Sequence, residues 1–158
     1  MLRVGIGYDS HRFAEGRPLI LAGQRIPHRL GLAGHSDADA VVHAVIDALL
    51  GAAAAGDIGT LFPDTDPAWR DADSMQLLDL ARLRLATEGY RAVQVDVTVV
   101  LEQPTLGPYK AAMADALRQA LGLPERAVSI KAKTNEGMGF IGRGEGVAVM
   151  AVATIERM

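Results

Sequence analysis

The stretch "AVQVDVTVVLE", residues 92 to 102, decides the fold class of this chain. Alternate positions from 93 to 99 are all valine, which is the period of two that a half-buried strand requires. Two further strands are predicted at 127 to 134 and at 146 to 156, and the last is apolar at nearly every position. Because such a strand needs cover on both faces, we expect its second face to meet another copy of the chain.

Three helices are also predicted, at residues 36 to 56, 71 to 89 and 107 to 122. The first two begin after Ser or Asp caps, and all three run into glycine, the expected C-terminal stop. A short first strand is predicted from "LRVGI", residues 2 to 6. This order of elements predicts an α+β fold with a mixed sheet and helices on one face, and residues 1–158 are read as one domain.

The composition limits the chemistry that this chain can perform. It has no cysteine, so any metal must be held by carboxylates and by the four histidines. The formal net charge of −3, with signs interspersed, argues against a nucleic-acid surface. We find neither a signal-peptide pattern nor an apolar run long enough to span a bilayer, and therefore expect a cytoplasmic protein with no membrane partner.

A candidate metal site is predicted from "GYDSHRF", residues 7 to 13, and from the first helix. Asp9 and His11 point the same way by strand periodicity, at what is predicted to be the end of the first strand. One carboxylate and two imidazoles, the second from His43, suit a tetrahedral Zn²⁺ whose fourth position stays open. Alternatively, His43 is a hydrogen-bonded core histidine and Asp9 caps a turn, and spacing does not decide between the two.

Three other segments suit an anionic or polyol ligand. His35 and Ser36 precede a helix N-terminus, where free N–H groups attract phosphate oxygens, although a cap at Ser36 or Asp37 explains the same residues. Residues 57 to 73 carry five Asp among Gly and Pro, which indicates either a solvated turn region or a polyol-binding loop. Residues 133 to 146 combine Lys, Thr, Glu and Arg with glycines, a pattern that can cradle phosphates beside Mg²⁺.

Taken together, three stretches resemble the 2-C-methyl-D-erythritol 2,4-cyclodiphosphate synthase family of the non-mevalonate isoprenoid pathway. They are "GYDSHRF", "GHSDADAVVHAVIDALLGAAAAGDIGTLFPDTDPAWRDADS" and "KTNEGMGFIGRGEG", and the resemblance covers essentially the whole chain. It implies a homotrimer of ferredoxin-like subunits with active sites between neighbours, and allows an isoprenoid-like ligand in the trimer cavity. The reaction implied converts 4-diphosphocytidyl-2-C-methyl-D-erythritol 2-phosphate to a cyclic diphosphate and CMP.

The resemblance also implies roles for individual residues. The positions that match the zinc ligands of the family are Asp9, His11 and His43. Glu136 matches the ligand of a second ion, Mg²⁺ or Mn²⁺, which the substrate phosphates otherwise hold. His35 and Thr134 match positions that stabilise the transition state. The positions that match substrate contacts are Ser36, Asp57, Gly59, Phe62, Asp64, Leu101, Pro104, Thr105, Leu106, Lys133, Phe140 and Arg143.

Two positions depart from the pattern of the family. Thr105 stands where Lys is frequent, and Lys133 stands where Thr is frequent. We hypothesise that the Lys133 ammonium offsets the missing cationic contact to the nucleotide. Two other functions stay open from the residues alone: a metal-dependent phosphoanhydride hydrolase, and a non-catalytic trimer that binds isoprenoid or nucleotide ligands.

Overall fold

A computed structural model describes all 158 residues of the chain. The strands are β1 (Leu2–Ala14), β2 (Leu19–Leu21), β3 (Gln24–Ile26), β4 (Gly31–Leu32), β5 (Tyr90–Val100), β6 (Val128–Lys133) and β7 (Gly146–Arg157). The helices are α1 (Ala40–Ala53), α2 (Ile58–Leu61), α3 (Ser74–Thr87), α4 (Lys110–Leu121) and α5 (Gly139–Gly142), with 3₁₀ turns at Pro67–Trp69 and Gly107–Tyr109. None of the helices combines the length and the apolar composition needed to cross a membrane.

Five strands form a mixed sheet in the order β4-β1-β7-β5-β6, and β2 and β3 form a separate hairpin. The pairs β1–β4, β1–β7 and β5–β7 are antiparallel, whereas β5 and β6 run parallel, joined by a crossover through α4. The α+β fold with a mixed sheet that the sequence predicts is therefore confirmed.

The two faces of the sheet differ in cover. The alternate valines of β5, Val95, Val97 and Val99, are fully buried on the face that carries α1, α3 and α4. Large apolar side chains of β1 and β7 on the opposite face are 40 to 72% exposed. They are Leu2, Val4, Ile6, Tyr8, Met150 and Val152. The sheet thus presents one contiguous apolar surface, because Ile6 lies opposite Val152 and Tyr8 opposite Met150.

The first strand is longer than predicted. β1 has thirteen residues, so Asp9 and His11 lie inside it and not at its end. The physical reason is the partner strand, since the ladder with β7 continues without interruption from Leu2 to Arg12. Polar side chains alone do not end a strand whose backbone N–H and C=O groups still have a partner.

The predicted ends of the first helix are also wrong. The N-cap of α1 is Asp39, whose side chain accepts from the backbone N–H of Val42, and neither Ser36 nor Asp37 takes this place. The helix ends at Ala54 in a left-handed conformation (φ 56°) and not at a glycine. Asp73 caps α3, Gly89 follows its last turn and Gly122 terminates α4, whereas α3 begins at Ser74 and α4 at Lys110, each three residues later than predicted.

Candidate metal centre and its cleft

Two glycines of β1 determine how closely α1 approaches the sheet. A Cβ atom built on Gly5 would lie 2.0 Å from the carbonyl oxygen of Ala48, and one on Gly7 would lie 1.9 Å from that of Ala44. Only glycine permits the helix backbone to lie so near the strand. His43 directly precedes Ala44, so this contact places the His43 imidazole beside Asp9 and His11, which follow Gly7 on the same face of the strand.

Three donor atoms meet at this point. Oδ2 of Asp9 lies 2.7 Å from Nε2 of His11 and 3.1 Å from Nδ1 of His43, and the two nitrogens are 3.2 Å apart. In a tetrahedral zinc site with bonds of about 2.0–2.1 Å, neighbouring ligand atoms are about 3.3 Å apart. The three atoms therefore form a triangle close in size to one face of such a tetrahedron.

The outer contacts of the two imidazoles determine which ring nitrogen carries hydrogen. His11 Nδ1 lies 2.8 Å from the carbonyl oxygen of Ala33, which can only accept, so Nδ1 donates. His43 Nε2 lies 2.8 Å from Oγ of Ser74, which donates its single hydrogen to the carboxylate of Asp37 and so accepts from the ring. Both neutral rings consequently turn a lone pair towards the same carboxylate oxygen.

Lone pairs that converge in this way require a cation or a shared proton between them. Burial acts to raise the pKa of Asp9, but a proton on the facing nitrogen of His11 or His43 supplies hydrogen bonds and charge that lower it overall. Burial likewise acts to lower the pKa of His11, while the Asp9 carboxylate raises it overall. Nitrogen and oxygen donors with tautomers fixed from outside are the ligand set of a His₂-carboxylate zinc site. The residues present therefore fit a metal ion.

The three donor atoms of Asp9, His11 and His43 open onto a cleft of about 280 Å³. Five of the predicted substrate and catalytic residues line this cleft: His35, Ser36, Gly59, Phe62 and Asp64. Gly34, Ile58, Trp69 and Leu77 complete the lining. Phe62 and Trp69 meet edge to face with ring centroids 5.0 Å apart, which gives the cleft an apolar wall beside its polar floor.

His35 and Ser36 are held in the cleft by contacts on its rim. His35 Nε2 donates to the carbonyl oxygen of Asp66 at 3.3 Å. Arg17 donates to the carbonyl oxygens of Gly34 (3.1 Å) and Ser36 (2.6 Å), on either side of His35. The segment therefore has a defined conformation without forming the helix cap that the sequence allows.

Asp57 is absent from the cleft lining and acts as a helix cap. Its carboxylate accepts from the backbone N–H and the hydroxyl of Thr60, both at 2.8 Å, and these bonds lower its pKa. Asp66 caps the 3₁₀ turn at 67–69, and Asp73 caps α3. For these three of the five aspartates between residues 57 and 73, the structure supports the prediction of a turn region over that of a polyol-binding loop.

A second group of predicted residues lies elsewhere, where the parallel strands β5 and β6 end side by side. The Leu101 N–H donates to the carbonyl oxygen of Lys133 at 2.9 Å, which joins the segments 101–106 and 133–143. The hydroxyl of Thr134 accepts from the N–H of Glu136 at 3.3 Å. None of the residues in these segments lines the cleft at Asp9, His11 and His43, although Phe140 shares a separate depression with Ser10, His11 and Arg12.

In the turn after β6, the N–H groups of Asn135, Glu136 and Gly137 are already bonded within the protein. The carboxylate of Glu102 already accepts from the N–H groups of Asn135 (2.8 Å) and Gly137 (2.7 Å). Arg143 pairs with Glu145 at 2.8 Å. The turn thus presents the side chains of Thr134 and Glu136, with its central N–H groups already bonded.

The family model of the YgbB family matches residues 2–156. The chain belongs to the YgbB family. The 2-C-methyl-D-erythritol 2,4-cyclodiphosphate synthase of Symbiobacterium thermophilum is 58% identical over 152 residues, which are 96% of this chain and 97% of that protein. The enzyme of the same name from Salinibacter ruber is 56% identical over 155 residues, 98% of this chain and 99% of that protein.

Solved structures agree with this membership of the YgbB family. The bifunctional IspDF of Campylobacter jejuni superimposes with a TM-score of 0.96 and 41% identity, over all of this chain and 43% of the bifunctional one. The CDP complex of IspF from Plasmodium falciparum gives a TM-score of 0.85 at 30% identity, covering 99% of this chain and 96% of that one.

Sequence reasoning missed several residues of this YgbB-family site. Ser74 and the carbonyl of Ala33 orient the imidazoles, and Glu102 ties the turn around Glu136. The sequence predicts Asp37 only as a helix cap, whereas its carboxylate accepts from both the hydroxyl and the N–H of Ser74. No spacing within the sequence connects these residues to their partners, because the contacts join segments that are distant along the chain.

Proposed function

We propose that this chain is a 2-C-methyl-D-erythritol 2,4-cyclodiphosphate synthase that converts 4-diphosphocytidyl-2-C-methyl-D-erythritol 2-phosphate to 2-C-methyl-D-erythritol 2,4-cyclodiphosphate and CMP. Similarity over nearly the full length to proteins of that name supports the proposal. The observation that carries it is the convergence of Asp9, His11 and His43 on one point at the floor of a cleft. As a phosphorus–oxygen lyase, such an enzyme would act in isoprenoid biosynthesis.

Two metal ions belong to this proposal. Asp9, His11 and His43 would hold Zn²⁺, and Glu136 would hold Mg²⁺ or Mn²⁺ together with phosphate oxygens of the substrate. A single carboxylate suits an ion that keeps several waters and binds phosphates. When bound, the two ions supply Lewis acidity, orient the phosphates and neutralise the charge that develops on them.

The reaction requires no protein nucleophile. An oxygen of the 2-phosphate forms a bond to the β-phosphorus while the bond from that phosphorus to the CMP oxygen breaks. Mutual repulsion of the anionic groups opposes this approach, so the residues of the chain must bind and align them. Thr134 suits this task because its hydroxyl accepts from the Glu136 N–H, which leaves the hydroxyl hydrogen for a phosphate oxygen.

His35 suits the same task from the cleft side. Its Nε2 hydrogen is committed to the carbonyl oxygen of Asp66, so Nδ1 is the ring atom left for the substrate. When the ring is protonated, Nδ1 donates to a phosphate oxygen. Ser36 lies beside it, and Gly59, Phe62 and Asp64 line the adjoining part of the cleft that we assign to the methylerythritol unit.

We further propose a homotrimer of ferredoxin-like subunits with the active sites between neighbours. Support comes from the division of the predicted site, because the cleft of one chain contains none of the residues 101–106 or 133–143. A neighbour would supply them, with the segment 101–106 at the cytidine. The exposed apolar face of β1 and β7 offers the surface for assembly, and a central cavity there would accommodate an isoprenoid-like ligand.

Residues 1–158 are proposed to act as one domain, consistent with a family match over residues 2–156. The cytoplasm is the proposed compartment, since a chain without cysteine has no disulfides that need an oxidising environment.

A ³¹P NMR assay with the diphosphocytidyl substrate and added Mg²⁺ tests the proposed function. The expected products are a cyclic diphosphate and CMP in equal amounts. A linear phosphate product would show instead that water attacks, as in a metal-dependent hydrolase. No turnover by a zinc-loaded, folded protein would overturn the enzymatic proposal altogether.

A further inference from the structure

We propose that Glu102 is a positioning residue that holds Glu136 in place for the second metal ion and couples it to the segment at the nucleotide. This inference rests on the proposed function and deepens it. Glu102 itself is not assigned any contact with the substrate. It lies in the segment 101–106, yet both of its carboxylate oxygens are directed to the neighbouring turn.

The geometry of the clamp is specific. Oε2 of Glu102 accepts from the N–H of Asn135 at 2.8 Å, and Oε1 accepts from the N–H of Gly137 at 2.7 Å. The two N–H groups flank Glu136 on either side along the chain. One carboxylate therefore binds the backbone N–H groups of the residues on both sides of the proposed metal ligand, and short charge-assisted bonds of this kind are among the strongest in proteins.

The turn needs such a clamp because its backbone is unfavourable. Glu136 has φ 53° and Gly137 has φ 72°, so two consecutive residues occupy the left-handed region. A glutamate rarely adopts this conformation, and it persists only where surrounding contacts hold it. Without the carboxylate, the turn would relax towards other conformations and the Glu136 side chain would leave its present position.

The strand pairing explains why Glu102 can reach the turn. β5 and β6 are parallel with Val100 opposite Lys133, so Glu102 and Asn135 each stand two residues beyond this pair. Arg143 pairs with Glu145 at 2.8 Å, and Glu102 takes part in no ion pair. Its negative charge is balanced by backbone N–H groups, which is the arrangement of a structural anion in an N–H nest.

A Glu102→Gln variant removes the clamp with little change in volume. The amide keeps one acceptor oxygen but places an NH₂ group opposite one of the two N–H donors, which cannot then be bonded. Since the zinc ligands lie in a different part of the chain, zinc binding should not change. Glu102→Asp keeps both acceptor oxygens on a shorter side chain and should keep part of the hydrogen bonding to the turn.

The test measures CDP binding by titration calorimetry with and without Mn²⁺, on zinc-loaded protein. We expect Mn²⁺ to increase the affinity of the wild type for CDP. In Glu102→Gln, as in Glu136→Gln, this Mn²⁺-dependent increase in affinity should be smaller by about tenfold or more. Glu102→Asp should lose less. The zinc content should stay at the wild-type value, and CDP affinity without Mn²⁺ should fall by much less than CDP affinity with Mn²⁺. Glu88→Gln, at the exposed end of α3, is the control variant and should behave as wild type.

Three results would overturn the inference. Full retention of the Mn²⁺ gain in Glu102→Gln would show that Glu136 needs no clamp. An equal loss of CDP binding with and without Mn²⁺, accompanied by a lower unfolding temperature, would show a merely structural role. If Mn²⁺ does not change CDP binding in the wild type, the second metal site is contradicted and the inference fails with it. The ³¹P NMR assay of the wild type shows separately whether the cyclase function also fails.

Discussion

Oγ of Ser74 lies 2.8 Å from Nε2 of His43, nearer than Oγ of Ser36 at 3.1 Å, and this contact helps to turn the other nitrogen of the imidazole towards Asp9. The hydroxyl can accept from the ring because its own hydrogen is donated to the carboxylate of Asp37. Ser74 is fully buried, so water cannot replace it as a partner. A residue 31 positions along the chain thus helps to orient a proposed metal ligand.

Replacing Ser74 by alanine should weaken zinc binding. The Ser74→Ala variant leaves His43 Nε2 without its strongest outer contact and leaves the Asp37 carboxylate without its hydroxyl donor. Loss of an outer-shell partner of this kind lowers metal affinity by about 10–100-fold. Competition with a chromophoric zinc chelator measures the effect, and Ser129→Ala, an exposed position on β6, serves as the control. Wild-type zinc affinity in Ser74→Ala would contradict the role given to the hydroxyl.

Because α1 lies so close to β1, the substitutions Gly7→Ala and Gly51→Ala should change the free energy of unfolding in opposite directions. In Gly7→Ala the new Cβ would lie 1.9 Å from the carbonyl oxygen of Ala44, so the helix must move away from the strand. The expected loss in unfolding free energy is about 1–3 kcal/mol or more, together with weaker zinc binding because His43 moves with the helix.

Gly51→Ala is the matched control for this substitution. Gly51 lies on the exposed side of α1, and a Cβ there would meet only the carbonyl oxygen of Ile6 at 4.0 Å. The change should stabilise the protein by about 0.5–1 kcal/mol, because alanine favours a helix interior. Urea denaturation of both variants measures the difference, and equal stabilities would contradict the packing described.

Mixed trimers test whether the site is shared between subunits. His43→Ala removes a ligand at the cleft, and Glu136→Ala removes the proposed second-ion ligand, so each variant alone should be inactive. If neighbours supply the two halves, equal mixing after unfolding and refolding restores about one quarter of the wild-type activity, because one site in four combines two intact halves. No recovery in refolded mixed trimers would place both halves within one subunit.

Replacing Lys133 tests whether its ammonium group, which lies beside the proposed nucleotide-binding segment, contacts the substrate. If its ammonium contacts the substrate, Lys133→Ala should raise KM by about tenfold, equivalent to about 1.4 kcal/mol, with a smaller effect on kcat. Lys131→Ala on the same strand is the control, since that side chain pairs with Asp96 at 2.7 Å. Unchanged KM and kcat in Lys133→Ala would remove the hypothesis that this residue offsets the absence of Lys at position 105.

The sequence predicts those parts of the site that depend on local periodicity. Asp9 and His11 share a strand face because their spacing is two, and Asp73 caps α3 where the pattern predicts a helix start. The association of these two residues with His43 follows from ligand chemistry and from the resemblance. Its physical cause, the approach of α1 over Gly5 and Gly7, becomes visible only in the packing.

The remainder depends on contacts between distant segments. Asp39 caps α1 in place of Ser36 because its carboxylate also accepts from the N–H groups of Ala22 and Gly23, in the turn of a hairpin that has no clear sequence signal. Glu102 likewise has a partner only once β5 and β6 are parallel. Such choices are made by tertiary hydrogen bonds, which local propensity does not contain.

The most direct test is the zinc content of the purified protein, measured by inductively coupled plasma mass spectrometry beside that of a folded His43→Ala variant. The convergence of Asp9, His11 and His43 predicts about one zinc per wild-type chain and a small fraction of that in the variant. Equal zinc in both proteins, or none in wild-type protein incubated with excess zinc, would contradict the metal centre on which the proposed cyclase depends.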